Sequence, residues 1–289
     1  MKRYVVYNPL AGYGSVEEKL TLLRSIYPEH TEFKNITDID NYAEYFSCLS
    51  SDDEIVIVGG DGTINCFVNK TAELQFPCDI LYYPTGTGND FVRDITVSDT
   101  SKPFSIKKYI ENLPTVEVNG KKHFFINGVG YGIDGYCCEV GDALKAKSHK
   151  PVNYTSIAIK GLLFHYHPTN AVVTVDGVRY EYKKVWIAPT MNGKFYGGGM
   201  MPAPEQNRLD NDELTLMLFH GSGKIKTLMV FPSLFKGEHV KHTEMVALHK
   251  GKEITVEFDS PAALQIDGET VLGVKSYKAI APVKCPVKS

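Results

Sequence analysis

The pentapeptide Gly59-Gly60-Asp61-Gly62-Thr63 follows directly on the apolar run Ile55-Val56-Ile57-Val58. Glycines at the end of a buried strand leave bare backbone N–H groups where no side chain blocks an anion, and that is phosphate chemistry. The next residues, Ile64 to Asn69, can open a helix whose amino end adds dipole and free donors at the same spot. Asp61 sharpens the reading, because a carboxylate inside an anion-binding loop repels phosphate unless a cation or hydrogen-bond donors accompany it. A second loop of the same kind, Pro84-Thr85-Gly86-Thr87-Gly88-Asn89-Asp90-Phe91, follows a second apolar run, Asp79 to Tyr83. Two such loops after two parallel strands lie side by side at the carboxyl edge of a sheet, where open α/β folds bind ligands. Glycines alone would also suit a tight strand-to-helix turn; the pair of loops predicts a nucleotide crevice.

The elements that must position these loops are readable from periodicity. Tyr4 to Tyr7 and Thr31 to Ile36 read as strands, and Val16 to Tyr27 and Ile39 to Leu49 as helices. With the two glycine-loop strands they make a β-α-β-α-β series, hence a doubly wound α/β domain. From about residue 116 short strand-like segments take over: 115–118, 122–126, 171–175, 179–188, 214–220, 245–248 and 253–258. Turns such as Asn119-Gly120, Asp176-Gly177 and Lys250-Gly251-Lys252 separate them, which predicts a C-terminal β-sandwich. Residues 153–166 read as a helix that Pro168 stops.

With 289 residues, 43% hydrophobic and 22% charged, the chain has the composition of a globular protein, and a net charge of −3 argues against a dedicated nucleic-acid binder. No run approaches the roughly 18 apolar residues of a spanning helix, so the expected location is cytoplasmic. Six cysteines without a Cys-x-x-Cys pair read as reduced thiols.

The two glycine loops resemble the signature loops of the diacylglycerol kinase catalytic-domain family, which also holds sphingosine kinases and the soluble bacterial lipid kinases. Four further stretches agree in family order: Tyr7-Asn8-Pro9-Leu10-Ala11-Gly12, Asn127-Gly128-Val129-Gly130-Tyr131-Gly132-Ile133-Asp134, Asn192 to Met200, and Gln265-Ile266-Asp267-Gly268-Glu269. The resemblance implies an N-terminal nucleotide-binding domain over 1–116, with 275–289 returning to it, a lipid-binding sandwich over 117–274, and an active site in the cleft between them. It implies an ATP-dependent, Mg2+-requiring lipid kinase acting on diacylglycerol or a related long-chain lipid at a membrane surface, with a homodimer left open.

Residue by residue, it implies nucleotide contacts at Asn8, Gly12, Thr37, Gly59, Gly60, Asp61, Gly62, Thr63, Ile64, Asn65 and Thr87. Asp61 and Asp134 would serve the catalytic cation and Glu269 would be the general base, although by itself Ile266 to Glu269 reads as a hairpin turn. A structural Mg2+ would fall to Asn211 with the carbonyls of Arg208 and Glu213, and Phe195, Tyr196, Met200 and Met201 would wall the lipid site. The basic cluster Lys145, Lys147, His149 and Lys150 would meet anionic headgroups or form a solvated face. The chain departs from the family pattern at Cys66, where glutamate is usual, and at Asn211, where aspartate is. NAD kinase, which shares the first loop, and a catalytically weak nucleotide- or lipid-binding homologue are the alternatives.

Overall fold

Alternation along the first strand decides the layering of the amino-terminal half. In the computed structural model, which describes residues 1–27, 29–85, 89–147, 152, 154–209 and 212–282, the chain divides into two units, Met1–Glu111 and Asn112–Ser289. The first contains β1 (Arg3–Tyr7), α1 (Ser15–Ile26), β2 (Thr31–Asn35), α2 (Tyr42–Tyr45), β3 (Glu54–Gly59), α3 (Asp61–Lys70), β4 (Asp79–Pro84), α4 (Asp90–Ile95), β5 (Phe104–Ser105) and α5 (Lys107–Ile110). The sheet order is β2-β1-β3-β4-β5, parallel except for β5. Successive side chains of a strand face opposite ways. Val5 accordingly joins Val56, Val58 and Tyr83 against Leu20 and Leu23 of α1, while Tyr4 turns to an aromatic cluster built on Phe46, Phe67 and Phe76. α2 is shorter than the expected 39–49, because the Asn41 side chain accepts from Glu44 N and starts the helix there.

The second unit contains β6 (Thr115–Val118), β7 (Lys121–Phe124), β8 (Gly128–Gly132), α6 (Ile133–Lys147), α7 (Tyr154–Lys160), β9 (Thr169–Val175), β10 (Val178–Val185), β11 (Ile187–Met191), β12 (Leu214–Phe219), α8 (Lys224–Val230), β13 (Val246–Gly251), β14 (Glu253–Ile266) and β15 (Glu269–Ile280). Its strands are antiparallel, ordered β13-β12-β11-β8-β14-β15-β6-β7, with β9 on β14 and β10 on β9. β14 turns this ladder into a sandwich: residues 254–258 pair with β9, the register shifts, and residues 264–266 pair with β8. Tyr131, Phe258 and Tyr277 stack inside it, the first two rings 4.3 Å apart. A second core around Trp186, Met217, Phe219 and Leu234 lies under α6 to α8.

Two expectations change. The single strand over 179–188 is two strands, because Lys184 takes a left-handed φ of 53° and the ladder to β9 slips between Tyr182 and Val185. The return of 275–289 to the first domain is corrected for its described part: through Ile280 it is β15, hydrogen-bonded to β14 and β6 in the second unit. Pairing with β14 along most of its length and with β6 at Lys278 to Ile280 satisfies much of its backbone, which keeps it in that sheet.

Candidate active site

Each parallel strand of the first unit ends on the same edge, and each is followed by a segment already singled out. Asn8 follows β1; its N–H donates to Val58 O (3.3 Å) and its Oδ1 accepts from Leu10 N (3.0 Å), shaping a turn that continues to Gly12 at φ 65°. Thr37 follows β2, exposed, its N–H and hydroxyl both donating to Asn35 Oδ1. Gly59 to Asn65 follow β3, and Thr85 follows β4, its N–H donating to Gly59 O at 2.8 Å. Thr87 lies outside the described residues.

The glycines of the first loop divide by purpose. A Cβ on Gly59 would overlap the Thr63 side chain, so Gly59 is needed for α3 to pack against β3. A Cβ on Gly60 would meet only Asn89 Oδ1, at 3.6 Å, and one on Gly62 would meet nothing within 4 Å. Internal packing therefore gives no reason for Gly60 or Gly62, and a glycine within a helix costs about 1 kcal/mol relative to alanine. Bare backbone kept at the amino end of α3 fits a phosphate approaching there. Thr63, Ile64 and Asn65 point inward and are buried, so their share in such a site would come through main-chain groups.

Asp61 Oδ2 accepts from Asp90 N (2.9 Å) and Phe91 N (3.4 Å), so the carboxylate of one loop caps the helix that follows the other. Tyr82, fully buried, adds a second tie: its hydroxyl donates to Gly59 O (2.8 Å) and lies 3.3 Å from Asn89 Oδ1. Burial drives the Tyr82 phenol well above its usual range, keeping it a donor. Tyr82 and Asp90 were not among the sequence candidates. A tyrosine inside a buried strand must find a partner for its hydroxyl, and that was the available signal.

In the second unit, Asp134 occupies the first turn of α6 directly after β8 and is buried. Gly130 leaves room for its Oδ2, and Gly135 lets α6 lie against the Ala263 carbonyl of β14. Neither carboxylate oxygen is in a well-formed hydrogen bond, and the Gln265 side-chain nitrogen nearby is likewise without one. Burial pushes the Asp134 carboxyl up to about 7; the N–H groups of Gly135 and Asp134 and the Gln265 amide oppose only part of that shift. Glu269 opens β15, exposed, one turn after β14, and β14 pairs with β8 through Gln265 and Gly130. Asp134, just after β8, and Glu269, at the start of β15, thus follow the two strands that flank β14, and both raise the Cys138 thiol beyond the effect of its burial. Asp267 has another task. It takes a left-handed φ of 48° ahead of Gly268, and its carboxylate accepts from Ile126 N (2.6 Å), Asn127 N (2.8 Å) and Gly128 N (3.0 Å).

The loop expected to hold a structural cation is only partly described, with Asn211 outside it. The Arg208 guanidinium donates to Ile126 O (2.9 Å) and Asn127 Oδ1 (3.0 Å), the Glu213 carbonyl accepts from Gln206 Nε2 (2.9 Å), and the Asp212 carboxylate faces Lys252 Nζ at 2.9 Å. Among the described residues no group of three or more His, Cys, Asp or Glu side chains is placed to hold a metal ion. Of the expected lipid wall, Tyr196 is buried in the second core with Met200 packed against it, so both serve packing.

A parallel sheet with glycine loops along its carboxyl edge, followed in the chain by a sandwich bearing a buried carboxylate, is an arrangement shared with a family of kinases. Residues 2–117 match the diacylglycerol kinase catalytic domain, and residues 127–287 match the YegS C-terminal NAD kinase beta sandwich-like domain. The chain belongs to this family of lipid kinases. It is 24% identical to "Putative lipid kinase YtlR" of Bacillus subtilis (strain 168), covering 99% of both proteins. It is 26% identical to "Putative lipid kinase" of Staphylococcus aureus (strain Newman) across 89% of this chain and 93% of that protein. Two crystal structures of Bacillus anthracis str. Sterne proteins, described as diacylglycerol kinases and one of them as putative, share the fold. Their TM-scores are 0.68 and 0.60 at 21% and 20% identity, covering 97% of this chain and 92% and 94% of theirs.

Proposed function

We propose that the chain transfers the γ-phosphate of ATP, with Mg2+, to the hydroxyl of diacylglycerol or a related long-chain lipid. The observation that carries this reading is the pair Gly60 and Gly62, bare of side chains at the amino end of α3 with no packing reason. ATP would supply the phosphoryl group and Mg2+ would offset the charge developing on it. The residues after β1, β2, β3 and β4 bind the nucleotide, its phosphates meeting the main chain from Gly59 to Asn65. Asp61 ties the start of α3 to the start of α4, and its carboxylate would be the handle for the cation. Asp134, unpaired and held near neutrality by burial, gives up its proton when positive charge approaches. Glu269, exposed on its hairpin, accepts the proton of the attacking hydroxyl.

The test is transfer of radiolabelled γ-phosphate into a total lipid extract, with identification of the product. Label in a lipid supports the reading and names the acceptor. Label in NADP when NAD is supplied, with none in lipid, would replace it with NAD kinase. ATP binding without any labelled product would leave a weak homologue.

A further inference from the structure

The second unit carries an apolar face that its own core leaves open. α7 runs on into a π-helical turn, Gly161–His165. Ile157, Ala158 and Leu162 of this segment are buried, while Ile159, Leu163 and Phe164 are 44%, 41% and 69% exposed. α8 repeats the division: Thr227 and Val230 are buried, and Ile225 and Met229, one turn apart on one face, are 76% and 70% exposed. The two segments abut, with Lys224 Nζ 3.4 Å from Leu163 O. Single exposed apolar side chains are ordinary, but five on two adjoining elements form a patch.

The charge around it indicates the occupant. The chain is net negative, yet residues 143–175 contain no Asp or Glu, and neither do residues 214–237. Within those stretches Lys160 and Lys224 are in no ion pair among the described residues; Lys226 is offset by Glu244 at 2.8 Å. Apolar side chains beside lysines, with carboxylates missing from both segments, match an anionic bilayer: the first enter the acyl boundary and the ammonium groups reach the headgroups. A self-associating face has no such need to be free of acid. Resting on the lipid-kinase reading, which puts the acceptor in a membrane, we propose that the face formed by α7, its π-helical turn and α8 docks the protein on anionic bilayers.

The test is co-sedimentation of the full chain, without nucleotide, with phosphatidylglycerol/phosphatidylcholine vesicles and with phosphatidylcholine alone. At about 1 kcal/mol per lysine, two lysines should favour the anionic vesicles by roughly 10- to 30-fold. Truncating three exposed apolar side chains, in Phe164→Ala/Ile225→Ala/Met229→Ala, should weaken partitioning at least ~10-fold with an unchanged melting temperature. In a separate assay, phosphorylation of long-chain diacylglycerol added to anionic vesicles should fall in parallel, and that of a monomeric short-chain diacylglycerol should stay within about twofold. A triple variant that partitions like the parent, or a parent that ignores anionic vesicles, would overturn the proposal. So would a variant whose only change is loss of a dimer, which would assign the face to a second copy. The co-sedimentation vesicles contain no acceptor, so a parent that binds them yet never labels the short-chain lipid would count against the kinase reading alone.

Discussion

The carboxylate of Asp61 and the backbone N–H of Asp90, 29 residues apart in sequence, are joined by a 2.9 Å hydrogen bond that fastens the first turn of α3 to the first turn of α4. Asp61 therefore anchors the start of α4 whatever else it does. Loss of a capping carboxylate costs about 1 kcal/mol, with a range of roughly 0.5–2. Asp61→Ala should lower unfolding stability by that amount, whereas Asp61→Asn, whose amide oxygen can still accept, should lose only part of it. Both should lose turnover, and a fully active Asp61→Asn at low Mg2+ would remove the charge from the mechanism. Urea unfolding beside kinase assays separates the two roles.

The neighbouring glycines should fail in opposite ways. Gly59→Ala drives a Cβ into Thr63 and should destabilise by roughly 1–3 kcal/mol, as overpacking does. At Gly60 an added Cβ meets only Asn89, so Gly60→Val should fold with little change while losing MgATP binding. Calorimetry showing unchanged MgATP affinity in Gly60→Val would take this loop out of the nucleotide site.

Asp134 links stability to pH. Its carboxyl, ordinarily near 3.8, is pushed up to about 7 by burial. Between those values the folded protein holds a proton that the unfolded chain has released, so stability declines as pH rises through the window and the penalty is complete above it. Asp134→Asn removes the penalty. At pH 8 it should be more stable than the parent, by at most about 4 kcal/mol at 1.36 kcal/mol per pKa unit, and near pH 4 the two should coincide. Turnover should fall at every pH. Denaturant midpoints at pH 4 and pH 8 check this, and a variant less stable than the parent at pH 8 would mean the carboxylate has a stabilising partner there.

Asp267 and Glu269, the two carboxylates at the turn between β14 and β15, should separate cleanly. Asp267→Asn weakens a charged acceptor serving three main-chain donors, and hydrogen bonds to charged groups are worth about 1.5–3 kcal/mol each. Its melting temperature should drop. Glu269→Gln should melt like the parent but turn over ~10²–10⁴-fold more slowly, with MgATP affinity unchanged. Near-normal lipid phosphorylation by Glu269→Gln would move the base elsewhere.

Much of the fold was readable because its signals are local. The runs Ile55–Val58 and Asp79–Tyr83 became β3 and β4, and alternation predicted β6, β9 and β12 within a residue or two. The turns Asn119-Gly120, Asp176-Gly177 and Asp267-Gly268 take left-handed φ at both positions, as two-residue hairpins require. The loops from Gly59 and from Pro84 could be found from composition alone, since a bare backbone after an apolar run is a statement about neighbours in the chain. The resemblance to lipid kinases rested on those same residues.

Tertiary structure decided the rest. Nothing near Lys184 said that a ladder would slip there and hand the chain from β9 to β8. The tail through Ile280 belongs with β14 and β6 because of strand pairing that no window of sequence contains. Asp61 is tied to Asp90, and Asp134 is buried without a well-formed hydrogen bond, through contacts between segments far apart in the chain. Periodicity reports which face of an element is buried. What buries it, and which carboxylate loses its water, depends on the segments that fold against it.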